Sequence, residues 1–314
     1  MASAAKTPHT ADTLKILVCY HKPYTMPPND DRILLPIHVG KALTDTDLHI
    51  QGDNQLNGQI CDNISDKNPS YCELTAIYWA WKNLRKLYPD VKYVGLFHYR
   101  RFFAFDERKF LAEGISKPEH AIKDYHVDVN MICKTLDDGK IIVARPLHSP
   151  YSMKIVYFET LISDDYRTLH DVLRDKFPDY YYSFMQFFEG SNKFSAKNMF
   201  IMRWEDFEEY CEWLFAVLSE VEPLIPYQNY NTYQKRVFGF MSERLLNVWL
   251  LRHNKKLKFC NVYGYMSDNV SAHNKFMEYF KRLLLYIRNE TAFAILRTVG
   301  FRERQALKQS RKYH

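Results

Sequence analysis

The first strong pattern is Leu14–Tyr20 (LKILVCY), a compact apolar run with β-branched residues that predicts a buried strand. The following HKPYTMPPNDD, rich in Pro, Asn and Asp, predicts a loop at the strand's C-terminal end. Residues 32–39 predict a second short strand or helix, and residues 51–70 form the longest polar stretch and predict a loop. Over residues 71–87, Leu74, Ile77, Tyr78, Trp81 and Leu84 recur at helical spacing; Ser70, with Glu73 three residues later, predicts a capping box at the helix start.

Residues 91–97 (VKYVGLF) predict a strand that runs into His98, Tyr99, Arg100 and Arg101. Further strands are predicted over 129–133, 140–144 and 198–202, and helices over 152–163, 166–176, 206–220 and 236–251. The 206–220 helix places Phe207, Tyr210, Cys211, Leu214, Phe215 and Leu218 on one face. Strands alternating with helices predict an α/β fold with a largely parallel sheet, followed by a helical C-terminal extension.

Composition adds little to the fold class: 46% hydrophobic and 25% charged residues are ordinary for a globular chain. The aromatic content is less ordinary, with 23 Tyr and 21 Phe, and rings serve as core or as platforms for sugars and bases. The net charge of +6 matters through its placement, because Lys275, Lys281, Arg282, Arg288, Arg297, Arg302, Arg304, Lys308, Arg311 and Lys312 crowd the C-terminal end. There, two helical patterns separated near Asn289 carry Phe276, Phe280, Leu283, Leu284 and Ile287, then Phe293, Ile295, Leu296 and Val299. Such segments suit an anionic membrane interface, and equally a packing or oligomer contact.

Six cysteines without a CxxC pair predict buried thiols in a reducing compartment. With no apolar signal core and no run long enough to span a bilayer, the expected location is cytoplasmic. The chain carries no P-loop, GxGxxG, HExxH, GxSxG, zinc cluster or nucleic-acid-binding signature, so a nucleic-acid partner is not expected.

Three segments are candidates for chemistry. His98, Arg100 and Arg101 follow a strand at the position where open α/β sheets bind ligands, and paired guanidiniums suit phosphate oxygens. Residues 53–68 could read hydroxyls of a ribose or sugar. Glu243, among Phe238, Phe240 and Met241, could have a raised pKa and act as a general base. Read alone, each fits a structural role at least as well: a strand surfacing into a charged loop, a solvated loop, and an ion pair of Glu243 with Arg244 or Arg236.

The segments DNISDKNPSYCELTAIYWAWKN (62–83) and YVGLFHYRRFF (93–103), with IIVARP (141–146), NMFIMRWEDFEEYCEWLF (198–215) and GFMSERLL (239–246), change that balance. Over residues 14–250 the chain resembles bacterial capsular and exopolysaccharide glycosyltransferases of the DUF4422 type, among which are galactofuranosyltransferases. The resemblance implies a GT-A-like, Rossmann-type sheet flanked by helices; the small, polar N-terminus and the basic C-terminal pattern add a leader over 1–13 and a basic amphipathic helical extension over 256–314 to a catalytic domain over 14–255. It implies transfer of a sugar, galactofuranose as the specific expectation, from a UDP-sugar to a lipid-linked oligosaccharide at the inner face of the cell membrane. Another hexosyltransferase using UDP-glucose or UDP-galactopyranose, or a non-catalytic nucleotide- or sugar-binding module, stays open as an alternative, and so does oligomerisation. Asp62, Asn63, Asn68, Tyr71 and Glu73 would shape the donor pocket; His98, Arg100 and Arg101 would face the diphosphate, with Arg145 as a further donor. Asn198 and Glu243 would lie on the acceptor side. The HYRR segment stands where many GT-A enzymes carry an Asp-x-Asp metal motif, so the expectation leans away from Mg²⁺ or Mn²⁺ and toward arginine as the counter-charge.

Overall fold

The computed structural model describes residues 13–29, 32–105, 114–266 and 275–298. The leader up to residue 12, and the tail cations from Arg302 onward, lie outside the described residues. The strand predicted first is the centre of the fold: β1 (Leu14–Tyr20) is buried along its whole length. Its side chains alternate between two cores, Leu17 and Cys19 entering one and Ile16, Val18 and Tyr20 the other. β1 pairs in parallel with β2 (Leu34–His38), which pairs in parallel with the short β3 (Gln51–Gly52). On its other side β1 pairs in parallel with β4 (Tyr93–His98).

Beyond β4 the sheet departs from expectation. Five more strands follow: β5 (Arg101–Ala104), β6 (Gly114–Pro118), β7 (Lys140–Ala144), β8 (Phe200–Arg203) and β9 (Lys256–Met266). β8 is antiparallel to both β4 and β7; β9 is parallel to β7 and antiparallel to β5; β5 returns on β4 through His98 and Arg101. Among the described residues β4, β5, β9, β7 and β8 therefore close a five-strand ring, with β1 to β3 extending from β4 and β6 beside β9. The open, largely parallel GT-A-like sheet expected from the sequence is overturned by this closure. It depends on a close approach at β4: a Cβ on Gly95 would stand 2.9 Å from Ile201 Cγ1 and 3.0 Å from the Phe200 carbonyl.

Two local expectations also change. Residues 129–133 are not a strand but the start of α3 (Val129–Asp137), because Asp128 caps it by accepting from Met131 N at 2.9 Å, and Ile132, Cys133 and Leu136 share its buried face. The predicted helix over 71–87 is broken into α1 (Asn68–Tyr71) and α2 (Leu74–Leu87) by Cys72, whose φ of 53° lies in the left-handed region. Ser70 lies inside α1 and no side chain caps α2, so the capping box does not form.

The remaining helices are α4 (Met153–Thr160), α5 (Ser163–Lys176), α6 (Pro178–Phe188), α7 (Trp204–Val221), α8 (Val237–Arg252) and α9 (Lys275–Thr298). The larger core joins α2 and α4 to α8 to the sheet through Trp79, Tyr157, Phe184, Trp204, Tyr210 and Trp249. The smaller core sets α3 against Phe97, Phe102 and Phe103. Many of the chain's rings are thus core residues. Residues 256–266, read as the start of the helical extension, are instead the longest strand of the ring, and α9 runs unbroken through Asn289.

Candidate active site

The parallel strands β1, β2 and β4 finish side by side, with Tyr20 opposite His38 and Cys19 opposite His98. Three backbone features bring further groups to these ends. The Cys72 kink presents Glu73 between α1 and α2. Lys197 and Asn198, with φ of 75° and 50°, turn the chain into β8. The first turns of α8 supply Ser242 and Glu243, and Arg236 stands just before them. α8 approaches the kink closely enough that a Cβ on Gly239 would meet Cys72 Sγ at 3.0 Å, while Arg236 Nε donates to that sulfur at 3.3 Å.

Asn198 ties the three parts together. Fully buried, it donates through Nδ2 to Glu73 Oε1 and to Ser242 Oγ, both at 2.7 Å. Ser242 in turn donates to the Gly239 carbonyl at 2.8 Å. His98 Nε2 lies 2.7 Å from the Lys197 carbonyl oxygen, which requires Nε2 to carry the proton. Burial, and then the charge of Arg101, hold the His98 ring down to about 4, so it is neutral near pH 7.

Glu73 and Glu243 are half-buried and both have raised proton affinity. Burial is the main cause for each. At Glu73 the Asn198 hydrogen bond and the charges of Arg236 and Arg101 oppose it; at Glu243 Arg244 opposes it, while the charge of Glu73 adds to it. Arg101, in turn, is lowered by burial and by Arg100 and supported by both carboxylates. Arg100 lies across the Tyr99 ring, 5.4 Å from its centroid. At the mouth, burial and the charges of Lys22, Arg100 and Arg236 hold His21 below the ordinary histidine range. The result is a pair of carboxylates faced by arginines, beside a neutral imidazole.

Of the residues singled out in the sequence, the structure gathers Glu73, His98, Arg101, Asn198 and Glu243, with Arg100 at the rim. The others make hydrogen bonds to the fold itself. Asp62 is exposed and accepts from Tyr78 at 3.0 Å, and Asn63 closes its own loop through the Cys61 carbonyl and Ser65 N. Asn68 Nδ2 donates to the Cys72 carbonyl at 2.9 Å and so braces the kink that presents Glu73. Tyr71 donates to Glu222 at 3.0 Å and packs on Phe238; Arg145 Nε donates to Asn261 at 2.7 Å. Asp53, in the polar loop, is fully buried and accepts from Gly40 N, Lys41 N and Ser65 Oγ. Sequence reasoning missed Lys197, Ser242 and His21, and gave Arg236 only a salt-bridge role. His21 was accessible through the same strand-end rule that selected His98. No three His, Cys, Asp or Glu gather as metal ligands among the described residues.

Residues 15–255 match the family described as Domain of unknown function (DUF4422), and the chain belongs to it. Among solved structures, it is similar to WbbM, a bifunctional glycosyltransferase determined in its apo state. The TM-score is 0.68 at 28% sequence identity, covering 84% of this chain and 48% of that one. The chain therefore spans about half the length of the protein it matches. Comparison with curated proteins finds no match.

Proposed function

We propose that the chain is a glycosyltransferase that moves a sugar from a nucleotide-sugar donor to a hydroxyl of a glycan acceptor, with Glu243 as the base. The observation that carries this reading is the meeting of Glu73 and Glu243 with Arg101 and Arg236 at the C-terminal ends of parallel strands. The likeness to half of a bifunctional glycosyltransferase supports the reaction class. The acceptor hydroxyl gives its proton to Glu243 and its oxygen attacks the anomeric carbon. The bond from that carbon to the nucleotide's phosphate oxygen breaks, and its electron pair leaves on the diphosphate. Arg100, Arg101 and Arg236 meet that charge. Burial, and with it the charge of Glu73, raises the proton affinity of Glu243, as suits a base that takes a hydroxyl proton.

The donor in this reading is a UDP-sugar, with UDP-galactofuranose first, and UDP-glucose or UDP-galactopyranose behind it. The arginines supply the counter-charge that Mg²⁺ or Mn²⁺ gives elsewhere. We place the acceptor on a lipid at an anionic membrane surface, and α9 supports this. Over residues 283–296 only the polar Asn289 is buried, while Leu284, Leu285, Tyr286 and Ile287 are exposed in succession. Asn289 Nδ2 donates to the His148 carbonyl at 2.9 Å, and Glu290 meets His148 and Asn192 at 2.8 Å. The polar residues dock the helix, with Tyr286 edge-on to His148, and leave Leu284, Leu285 and Ile287 outward, an arrangement suited to an interface. No described helix is long and apolar enough to cross a membrane.

Purified protein offered UDP-galactofuranose and a glycan acceptor is expected to release UDP as a new glycoside forms. Tight UDP-sugar binding with no UDP released from any of the three donors would make the chain a binding module instead.

A further inference from the structure

A cleft of about 220 Å³ opens between β6, β9 and the segment before α3, away from the Glu73–Glu243 pair. Tyr263 and Tyr265 of β9 form one wall; Lys117, Asp124, His126 and Asp128 supply its polar groups. The Lys117 ammonium lies 3.5 Å from the centroid of the Tyr263 ring. Asp128 also caps α3, and Asp124, His126 and Asp128 are exposed at the rim.

The cleft is coupled to the active site through short, direct contacts. Tyr265 N donates to the Arg100 carbonyl at 2.8 Å, so the wall of the cleft and the arginine at the site's rim share a strand pairing. The loop that leaves β1 at the site crosses toward the cleft: Tyr24 packs edge-on against Tyr99 and donates to the Tyr265 carbonyl at 3.3 Å, and Thr25 donates to Glu119 at 2.9 Å. The wall of the cleft and the loop that leaves β1 at the active site are therefore joined at Tyr265.

Charge decides what kind of ligand that is. Two carboxylates against one ammonium repel a phosphate, which the arginines at the other end of the rim attract. Carboxylates that accept from hydroxyls and an ammonium that donates to oxygens, over a wall of buried tyrosines, are the recognition chemistry of an uncharged polyol. We propose that this cleft is a subsite for a neutral sugar ring of the acceptor glycan, set one step away from the reacting hydroxyl. The assignment of the sugar to the acceptor rests on the transferase reading; the binding of a neutral sugar does not.

Saturation-transfer NMR with methyl glycosides of galactose, glucose and mannose tests it, on wild type and on the Lys117→Met/Asp124→Asn double variant. UDP-sugar affinity is measured on the same samples. At least one glycoside is expected to receive saturation from the wild type and to bind about tenfold or more weakly to the variant, whose UDP-sugar affinity stays unchanged. Three results would overturn the subsite: no glycoside engages the wild type, the variant binds glycosides as well as the wild type, or UDP-sugar affinity falls along with glycoside binding, which would give the cleft to the nucleotide. A wild type that binds a glycoside through this cleft but no UDP-sugar would sink the transferase reading and leave the sugar site standing.

Discussion

Asn198 Nδ2 donates to Glu73 Oε1 at 2.7 Å, joining the turn before β8 to the kink before α2 across 125 residues of sequence. The same nitrogen reaches Ser242 on α8, so one buried amide sets the spacing of three elements around the carboxylate pair. Its φ of 50° suits Asn and Gly and penalises Ala by about 1 kcal/mol.

Comparing Asn198→Gly with Asn198→Ala separates the amide from the backbone. Both should lower kcat by about tenfold or more, with the Ala variant less stable than the Gly variant by about 1 kcal/mol. Because the Asn198 hydrogen bond opposes protonation of Glu73, its loss should raise the proton affinity of Glu73 further, which carboxyl NMR titration reads directly. Equal kcat in wild type and Asn198→Gly would reduce Asn198 to a fold residue.

Arg101 and Arg100 should separate in the same way. Arg101 lies among Arg100, Glu243 and Glu73, whereas Arg100 lies across Tyr99 at the rim. Replacing either by Ala is expected to weaken UDP-sugar binding or turnover by about tenfold or more, with the larger loss of kcat at Arg101. Titration calorimetry and steady-state rates on folded variants check this; two variants with wild-type affinity and turnover would take the arginines out of the site.

β1, β4, α7 and α8 were legible because each carries its own pattern: an apolar run, or an apolar face at helical spacing. Ring closure was not. It depends on which edges β8 and β9 find, and a four-residue strand such as FIMR reads the same whether its neighbour is parallel or antiparallel. The strand over 256–266 was hidden by its lysines, which suggested a basic extension. At the site, His98, Arg101 and Glu243 stood out as charges bordering apolar runs. Asp62, Asn63 and Tyr71 looked similar, yet a polar side chain reads the same whether it meets a ligand or Tyr78, Ser65 or Glu222. Lys197 and Ser242 gave no local signal, since their placement depends on a left-handed turn and on the approach of α8 to Cys72.

His98 should make stability depend on pH. Its folded pKa of about 4 lies below the unfolded value of 6.5, so the unfolded chain binds the extra proton between them. The stability linked to the neutral ring is present above about pH 6.5 and is lost as pH falls toward 4. Thermal melts between pH 7.5 and about 5 should show Tm falling more steeply in wild type than in His98→Gln. Parallel slopes would mean that the ring is not held neutral.

The outward face of α9 predicts vesicle binding. Wild type is expected to float with anionic vesicles and to release partly at high salt, and the double substitution Leu284→Asp/Ile287→Asp to stay unbound while its UDP-sugar affinity is unchanged. Absence of flotation for a folded wild type would rule out this membrane attachment through α9.

Direct displacement at the anomeric carbon, with Glu243 as the base, is read by the configuration of the product. Proton NMR of a wild-type reaction, run beside Glu243→Gln at matched donor occupancy, follows donor loss, UDP release and the anomeric signal of the new glycoside together. The expected result is an inverted product formed in step with UDP, an acidic limb above the ordinary glutamate range, and a rate about 10²-fold lower in the Gln variant at unchanged donor affinity. A product of retained configuration, or wild-type rates in Glu243→Gln, would contradict it.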